Sequence, residues 1–285
     1  MKTIAIGLCV AAASVFSASA QAQSARVEAV QYPAWLERDG YSVPLVPGTV
    51  LRAQDGLRTG ANARAVVRLG EGSTVKLGEN ARFRIERVEN RGIFRAALAV
   101  LGGAFRFTTR AIAKAQRRDV TIKVTSITAG IRGTDVWGKS TNERDLVCLL
   151  EGHVSVAAQG HEPVTLDDPG AFYQQPRGGE PAVAKVDQAQ IDIWSKETEI
   201  AREGASARVG GAWRVIASKF ETRDRALDLR ARLRTAGYPA QVIDEHNGVF
   251  VVQVAGLEGE AQARTLMANL RGIEGVTIPS IGEPR

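Results

Sequence analysis

Sulfur and imidazole are scarce in this chain: 285 residues carry two cysteines, two methionines and three histidines. Cys9 falls within an N-terminal leader, so Cys148 stands alone in the mature chain and no internal disulfide can form. Stability must then come from packed cores, although the export route is oxidising. The neighbours of Cys148 in "LVCLLEG" are apolar, which predicts a buried strand residue rather than a reactive thiol. His153 follows "EG", His161 lies in a Gly-His-Glu-Pro turn, and His246 precedes Asn-Gly, so all three read as turn or surface residues. No two have the spacing of metal ligands, and neither a metal nor a cofactor is expected.

Catalytic motifs are missing as well. The sequence holds no G-x-S-x-G elbow, no G-x-x-x-x-G-K-[ST] phosphate loop and no H-E-x-x-H helix; His161-Glu162 is not part of one. Carboxylate pairs meet in space rather than along the chain, so Asp167 with Asp168, and Asp135 with Glu151, are the pairs a hydrolase would have to use. The chain reads as a non-enzyme.

Long apolar runs are confined to the start. "MKTIAIGLCVAAASVFSASAQAQ" has an early Lys, an apolar stretch from Ile4 to Phe16, and small residues that place cleavage after Ala20 or Ala22. This is the pattern of a secretory signal peptide, residues 1–22, and its apolar run is too short for a permanent membrane span. Leu8 before Cys9 is not small, which argues against a lipoprotein. No later stretch approaches the roughly 20 apolar residues of a span. The expectation is an exported, periplasmic chain that does not span the membrane and does not meet nucleic acid.

Positive charge is abundant and uneven. Between Arg82 and Arg118 stand ten Lys/Arg against two Asp/Glu, a larger excess than the +6 of the whole chain. One reading is the solvated face of alternating strands; the other is a patch for an anionic polymer, a lipid surface or an acidic partner.

From residue 41 to 176 the text is β. "ARAVVRL", "STVKL", "ARFRIERV", "GAFRFTT", "VTIKVTSI", "DVWGKS", "DLVCLL" and "HVSVAA" alternate or are rich in branched residues, with Gly, Asn and Asp between them. "GANAR" (Gly60 to Arg64) recurs as "GENAR" (Gly78 to Arg82), which predicts that successive strands turn corners alike. A β-sandwich and a short β-solenoid both remain open. So do a helical turn and a buried strand for "FRAALAVLGG", Phe94 to Gly103.

Residues 177–211 read as a linker with one helix. "DQAQIDIWSKETEIAREG" has Asp187 as N-cap and Gly204 as stop, with Ile191, Trp194 and Ile200 near one face and Trp194 set to pack on the β-domain or a partner. "ASARVGG" reads as a flexible joint. Residues 212–280 change class. "WRVIASKF" is a strand, and Thr222 caps a helix with Ala226, Leu229 and Leu233 inward and Gly237 at its close. "PAQVIDE" and "VFVVQVAG" form a hairpin through Asn247-Gly248. A second helix turns Ala263, Leu266 and Leu270 inward before a last strand, "VTIP". The order βαββαβ predicts a ferredoxin-like α+β unit: a four-stranded antiparallel sheet with both helices on one face.

At these residues the tail resembles a SPOR domain, through the aromatic-led first strand ending in Phe220, "LRTAGYPAQV" and "VFVVQVAG". That resemblance implies binding of peptide-stripped peptidoglycan glycan strands, mainly at the division septum, by the open sheet face. Alternation puts Arg214, Ile216 and Ser218 of the first strand on that face, with Val249, Val251 and Gln253 of the third. Ile216, Ser218 and Val251 stand where the family commonly carries Gln, Gly and Arg.

The β-region resembles the FecR family. "DGLRTG" with its paired strands and glycine corners, and above all "TSITAGIRGTDVWG", carry the likeness. In that segment Gly130 and Gly133 are expected to supply backbone angles that side chains disfavour, and Arg132 to pair with Asp135 or Asp135 to bond the turn. Thr134 belongs to the same motif, and Trp137 is expected to anchor the core. The named family member regulates a sigma factor through a cytoplasmic segment and a membrane helix. Neither is read here, so that role is not expected to carry over.

Three functions compete. The first is a binding protein whose SPOR-like tail tethers it to glycan strands while the FecR-like domain recognises an envelope protein or polymer, two modest affinities giving avidity. The second is a protein–protein adaptor or surface-signalling component without glycan binding, and the third an activator of wall hydrolases or a cryptic hydrolase.

Overall fold

A computed structural model describes residues 25–91, 93–109, 118–245 and 248–282. Residues 1–22, expected to be a signal peptide, His246 and the Asn247 half of the predicted hairpin turn lie outside the described residues. So do Arg110, Lys114 and Arg117 of the basic stretch.

Two sheets share one core. In the first, Ala25–Gln31 leads to Arg64–Leu69, Thr74–Leu77, the second half of Ile93–Thr108, Asp135–Ser140, Arg144–Glu151, Ala171–Pro176 and Ala182–Lys185. In the second, Tyr41–Pro44 leads to Ala34–Arg38, Gly56–Thr59, Arg82–Arg91, the first half of Ile93–Thr108, Arg118–Val124, Ile127–Ile131, Val154–Ala158 and Val164–Leu166. The chain passes back and forth between the layers while advancing one way, so sandwich and solenoid are both partly right: this is a sandwich wound like a short solenoid. Alternation drives it. Ile85, Leu98, Ile122, Ala129 and Val156 from the second sheet join Val27, Val67, Phe105, Phe107 and Val147 from the first in one buried cluster, each large side chain contributing about 1.5–3 kcal/mol by its burial.

The open segment Phe94 to Gly103 is strand. Ile93–Thr108 pairs in the second sheet as far as Gly102 and in the first from Gly103 onward, so one strand crosses between layers. Gly103 permits this with φ +77, in a site where a Cβ would lie 2.6 Å from the Ala81 backbone. The repeated corners do stack: Asn62 and Asn80 both adopt positive φ, and Asn80 N–H donates to Gly60 O at 3.0 Å.

The β-body takes in more chain than residues 41 to 176. Ala25–Gln31 and Ala34–Arg38 are strands within it, and Ala182–Lys185 adds an edge beyond it. The linker helix is shorter than its pattern suggests. α1, Gln188–Lys196, starts with the Asp187 carboxylate accepting from Gln190 N–H at 2.9 Å, but ends eight residues before Gly204. After it, Glu197 and Glu199 turn back onto Lys139 and Lys76, and that pairing replaces the last turns of helix. Gly204 packs against the Gln31 side chain instead of stopping a helix.

"ASARVGG" is not a flexible joint. Ser206–Arg208 pairs antiparallel with Ala25–Gln31 on one side and meets Leu257 on the other, so the first sheet continues into the tail. Ala205, Ser206 and Ala207 are small because they are buried; linker-like composition and tight packing call for the same residues. The tail is otherwise as expected: α2 (Arg223–Thr235) and α3 (Glu260–Leu270) lie on one face of a sheet ordered Gln241–Asp244, Phe250–Leu257, Trp213–Phe220, Ser280–Gly282. Its last strand is Ser280–Gly282 rather than "VTIP", because Thr277 N–H is taken by the Ser218 hydroxyl at 3.1 Å instead of a ladder carbonyl. Tail and body also meet where Trp35 Nε1 donates to Thr235 O at 3.1 Å and Ala34 N–H to Gly237 O at 3.3 Å.

Candidate functional site

Helices cover the inner face of the tail sheet, where Val215, Ala217, Val252 and Val254 are fully buried. Cross-strand register defines the outer face. One row runs Ser280, Ile216, Gln253, Gln241, and the next runs Lys219, Val251, Ile243. Arg214 lies beyond Ile216, opposite Ala255, with its side chain flat over Gly282. Arg214, Ile216, Val251 and Gln253 therefore share the face predicted for them.

Ser218 does not share it. The register slips between Ile216 and Ser218, which places Ser218 opposite inward-facing Val252 and Lys219 opposite Val251. A bulge reverses the in–out parity of every following residue, and no composition signal marks it. The Ser218 hydroxyl then bonds Gly275 O at 3.1 Å and Thr277. Val249 lies ahead of its strand, where its carbonyl accepts from Glu245 N–H at 3.0 Å. Val251 and Gln253, at 2% and 7% exposure, form the floor of a shallow trough. Lys219 and Gln241 are its exposed rim, and Arg214, Ile216 and Ile243 are half-buried. Lys219, Gln241, Ile243 and Ser280 were not singled out from sequence; correct strand pairing alone reveals them. The trough offers amide, ammonium and apolar groups on one face of the sheet, a chemistry suited to the polar edges and apolar faces of sugar rings.

The glycine-rich segment is the passage from Ile127–Ile131 in the second sheet to Asp135–Ser140 in the first. Gly133 has φ +74, as expected, and Gly152 closes against it. Gly130 has no such angle; it is ordinary strand, with its nearest neighbour 3.9 Å from where a Cβ would be. Asp135 pairs with Arg106 rather than Arg132. Arg106 Nε and Nη2 donate to its two carboxylate oxygens at 2.9 and 2.7 Å. That bond holds the Arg106 guanidinium above its ordinary pKa. The network continues to Glu199, 3.4 Å from Arg106 and 2.6 Å from Lys76. Thr134 is buried, and its carbonyl accepts from Thr109 N–H at 3.0 Å.

Trp137 anchors a second, smaller core on the outer side of the first sheet. Its ring stacks on Trp194 of α1 at 4.7 Å and 3°, and Phe172 meets Trp194 edge-on at 6.0 Å. Cys148 lies in this cluster, fully buried, and burial pushes its thiol up to about 12. Of the carboxylates that a hydrolase would need, Asp135 is held by Arg106, and Asp168 accepts from Lys185 at 2.5 Å. Glu151 stands opposite Asp135 in the ladder.

The family model described as FecR protein matches residues 55–155, and the SPOR domain model matches residues 209–279. These are binding or signalling families rather than catalytic ones, typical of periplasmic or envelope proteins. No curated protein matches the chain. Among solved structures, two crystal structures of a candidate anti-sigma factor from Parabacteroides distasonis are similar. One is 15% identical, with a TM-score of 0.42, and is covered over 64% of its length by 49% of this chain. The other is 11% identical, with a TM-score of 0.43, and is covered over 89% by 76% of this chain. Among the described residues, no helix is long and apolar enough to cross a membrane.

Proposed function

For a chain that carries a FecR domain followed by a SPOR domain, we propose a non-catalytic adaptor of the periplasm, exported by its signal peptide and held on peptide-stripped peptidoglycan glycan strands, enriched at the septum. The SPOR domain supports peptidoglycan binding. The observation that carries the finer reading is the outer trough of the tail sheet. It faces neither helix, and the contacts between tail and body are made elsewhere, by Trp35 with Thr235 and by Ser206–Arg208 with its two neighbours. Ile216, Gln241 and Gln253, with Lys219 and Arg214, are the residues assigned to the glycan.

The body supplies the second recognition, of an envelope protein or polymer, in keeping with the FecR match. Because the joint is a paired strand and not a tether, glycan binding by the tail would fix the orientation of the body. That differs from the flexible avidity suggested by composition.

The test is co-sedimentation of the mature chain with peptide-stripped glycan strands, with septal localisation of the tagged chain beside it. The wild type should pellet. Ile216→Asp, and separately Lys219→Ala/Gln241→Ala, should lose most of that retention with an unchanged thermal midpoint. A wild type that stays in the supernatant would refute the tether.

A further inference from the structure

The outer face of the second sheet presents its charges in an ordered pattern. The inner residues of Arg82–Arg91, Ile93–Thr108, Arg118–Val124, Ile127–Ile131 and Val154–Ala158 fill the core, so register fixes what points outward. One row runs Arg84, Ala99, Lys123, Thr128; the next runs Arg87, Ala97, Thr121, Gly130, Ser155, Thr165. Arg84 and Lys123 thus flank Ala99 at two strand spacings, roughly 10 Å apart, and Arg95 stands about 7 Å from Ala97 along the same strand.

Arg82, Arg84, Arg87, Arg95, Lys123 and Arg132 are all exposed, and none joins an ion pair among the described residues. Glu89 and Asp119 stand directly opposite Arg95 in the ladder, Glu37 lies in the Arg84 row across Gly56, and Glu86 is exposed beside them; the six cations against these four acids leave the face net positive. Arg132 belongs to this set because Arg106 occupies Asp135. At one end lies a cleft of about 700 Å³, lined by Arg95, Arg132, His153, Ser155 and Thr165 around Gly130, with Asp119 as its acid. Its volume is in the range of ligand clefts.

We propose that this face binds an extended anionic polysaccharide. Guanidinium groups take carboxylates or phosphates in paired hydrogen bonds; Arg84, Arg87 and Arg95 recur from row to row, and Lys123 adds an ammonium across the sheet from Arg84. The floor between them is mainly Ala, Thr, Ser and Gly; Ile93 in the cleft and exposed Leu101 beyond Ala99 stand far apart along the strand, not clustered as the anchors of a protein partner are. Flat hydroxyl-bearing ground between cations suits a sugar polymer carrying regular acid groups. The inference rests on the reading of the body as the module that recognises an envelope component, and names the class of that component.

The experiment measures binding of labelled polygalacturonate to the mature chain, with dextran as neutral glycan and poly-L-glutamate as acidic polypeptide. The wild type should bind polygalacturonate, more weakly as salt rises, and should ignore dextran. Arg95→Ala/Lys123→Ala/Arg132→Ala should weaken binding about tenfold, three exposed ion pairs' worth. Arg202→Ala/Arg223→Ala/Arg271→Ala carries the same charge change elsewhere and should leave binding unchanged. Absence of binding, equal loss in both triple variants, or equal binding of dextran would overturn the proposal. So would poly-L-glutamate bound as tightly and lost in the same variant, which would make an acidic protein the occupant. Ile216→Asp should retain polygalacturonate, so failure here and failure of the tail as a glycan tether are read apart.

Discussion

Replacing Asp135 with alanine strands a guanidinium. Arg106 and Asp135 are 23% and 11% exposed at the side chain and share two charge-assisted hydrogen bonds. Removing one partner of a fully buried pair costs about 3–5 kcal/mol, whereas an exposed pair is worth about 0–1 kcal/mol. This pair lies between, and Glu199 at 3.4 Å from Arg106 retains part of the compensation. The expected loss for Asp135→Ala is therefore about 2 kcal/mol, or about 4–8 °C in the thermal midpoint for a chain of this size. Arg106→Ala should cost a similar amount, because it leaves a nearly buried carboxylate without its cation. The double variant should cost about 1–2 kcal/mol less than the two singles added, since the residues act on each other. The assay is a double-mutant cycle by denaturant unfolding, with pelleting on glycan strands alongside. Singles within about 0.5 kcal/mol of wild type, or strict additivity, would refute the structural role. A variant of normal stability that lost a partner would make Asp135 a contact residue instead.

Two further outcomes follow from the geometry. A Cβ at Gly211 would lie 2.2 Å from Gly256 O; Gly211→Ala should therefore destabilise the chain by about 1–3 kcal/mol, and a neutral effect in thermal unfolding would return the joint to a flexible linker. The Cys148 thiol is pushed up to about 12 in the folded chain against about 8.5 unfolded. Above pH 9 the unfolded chain gives up a proton that the folded chain keeps, so stability falls as pH rises, by about 1.4 kcal/mol per pH unit up to 12. Cys148→Ala should flatten the alkaline slope measured by denaturant unfolding between pH 8.5 and 11, and an identical slope would sink the assignment.

Sequence by itself determined the classes of structure. Strand alternation gave the buried set of the body, the echo of "GANAR" in "GENAR" gave two stacked corners, and the helix faces at Ala226, Leu229, Leu233 and at Ala263, Leu266, Leu270 gave the tail its core. These are local periodicities, and burial follows them directly. Tertiary structure decided whatever depends on a partner strand. The bulge after Ile216 took Ser218 off the glycan face and put Lys219 there. Arg106, twenty-nine residues before Asp135, claimed that carboxylate and left Arg132 to the outer face. The stretch "ASARVGG" was small for packing rather than for freedom, because one strand pressed on each side of it, Ala25–Gln31 and Phe250–Leu257. Register and long-range ion pairing are settled between segments distant in the chain, so no window of sequence contains them.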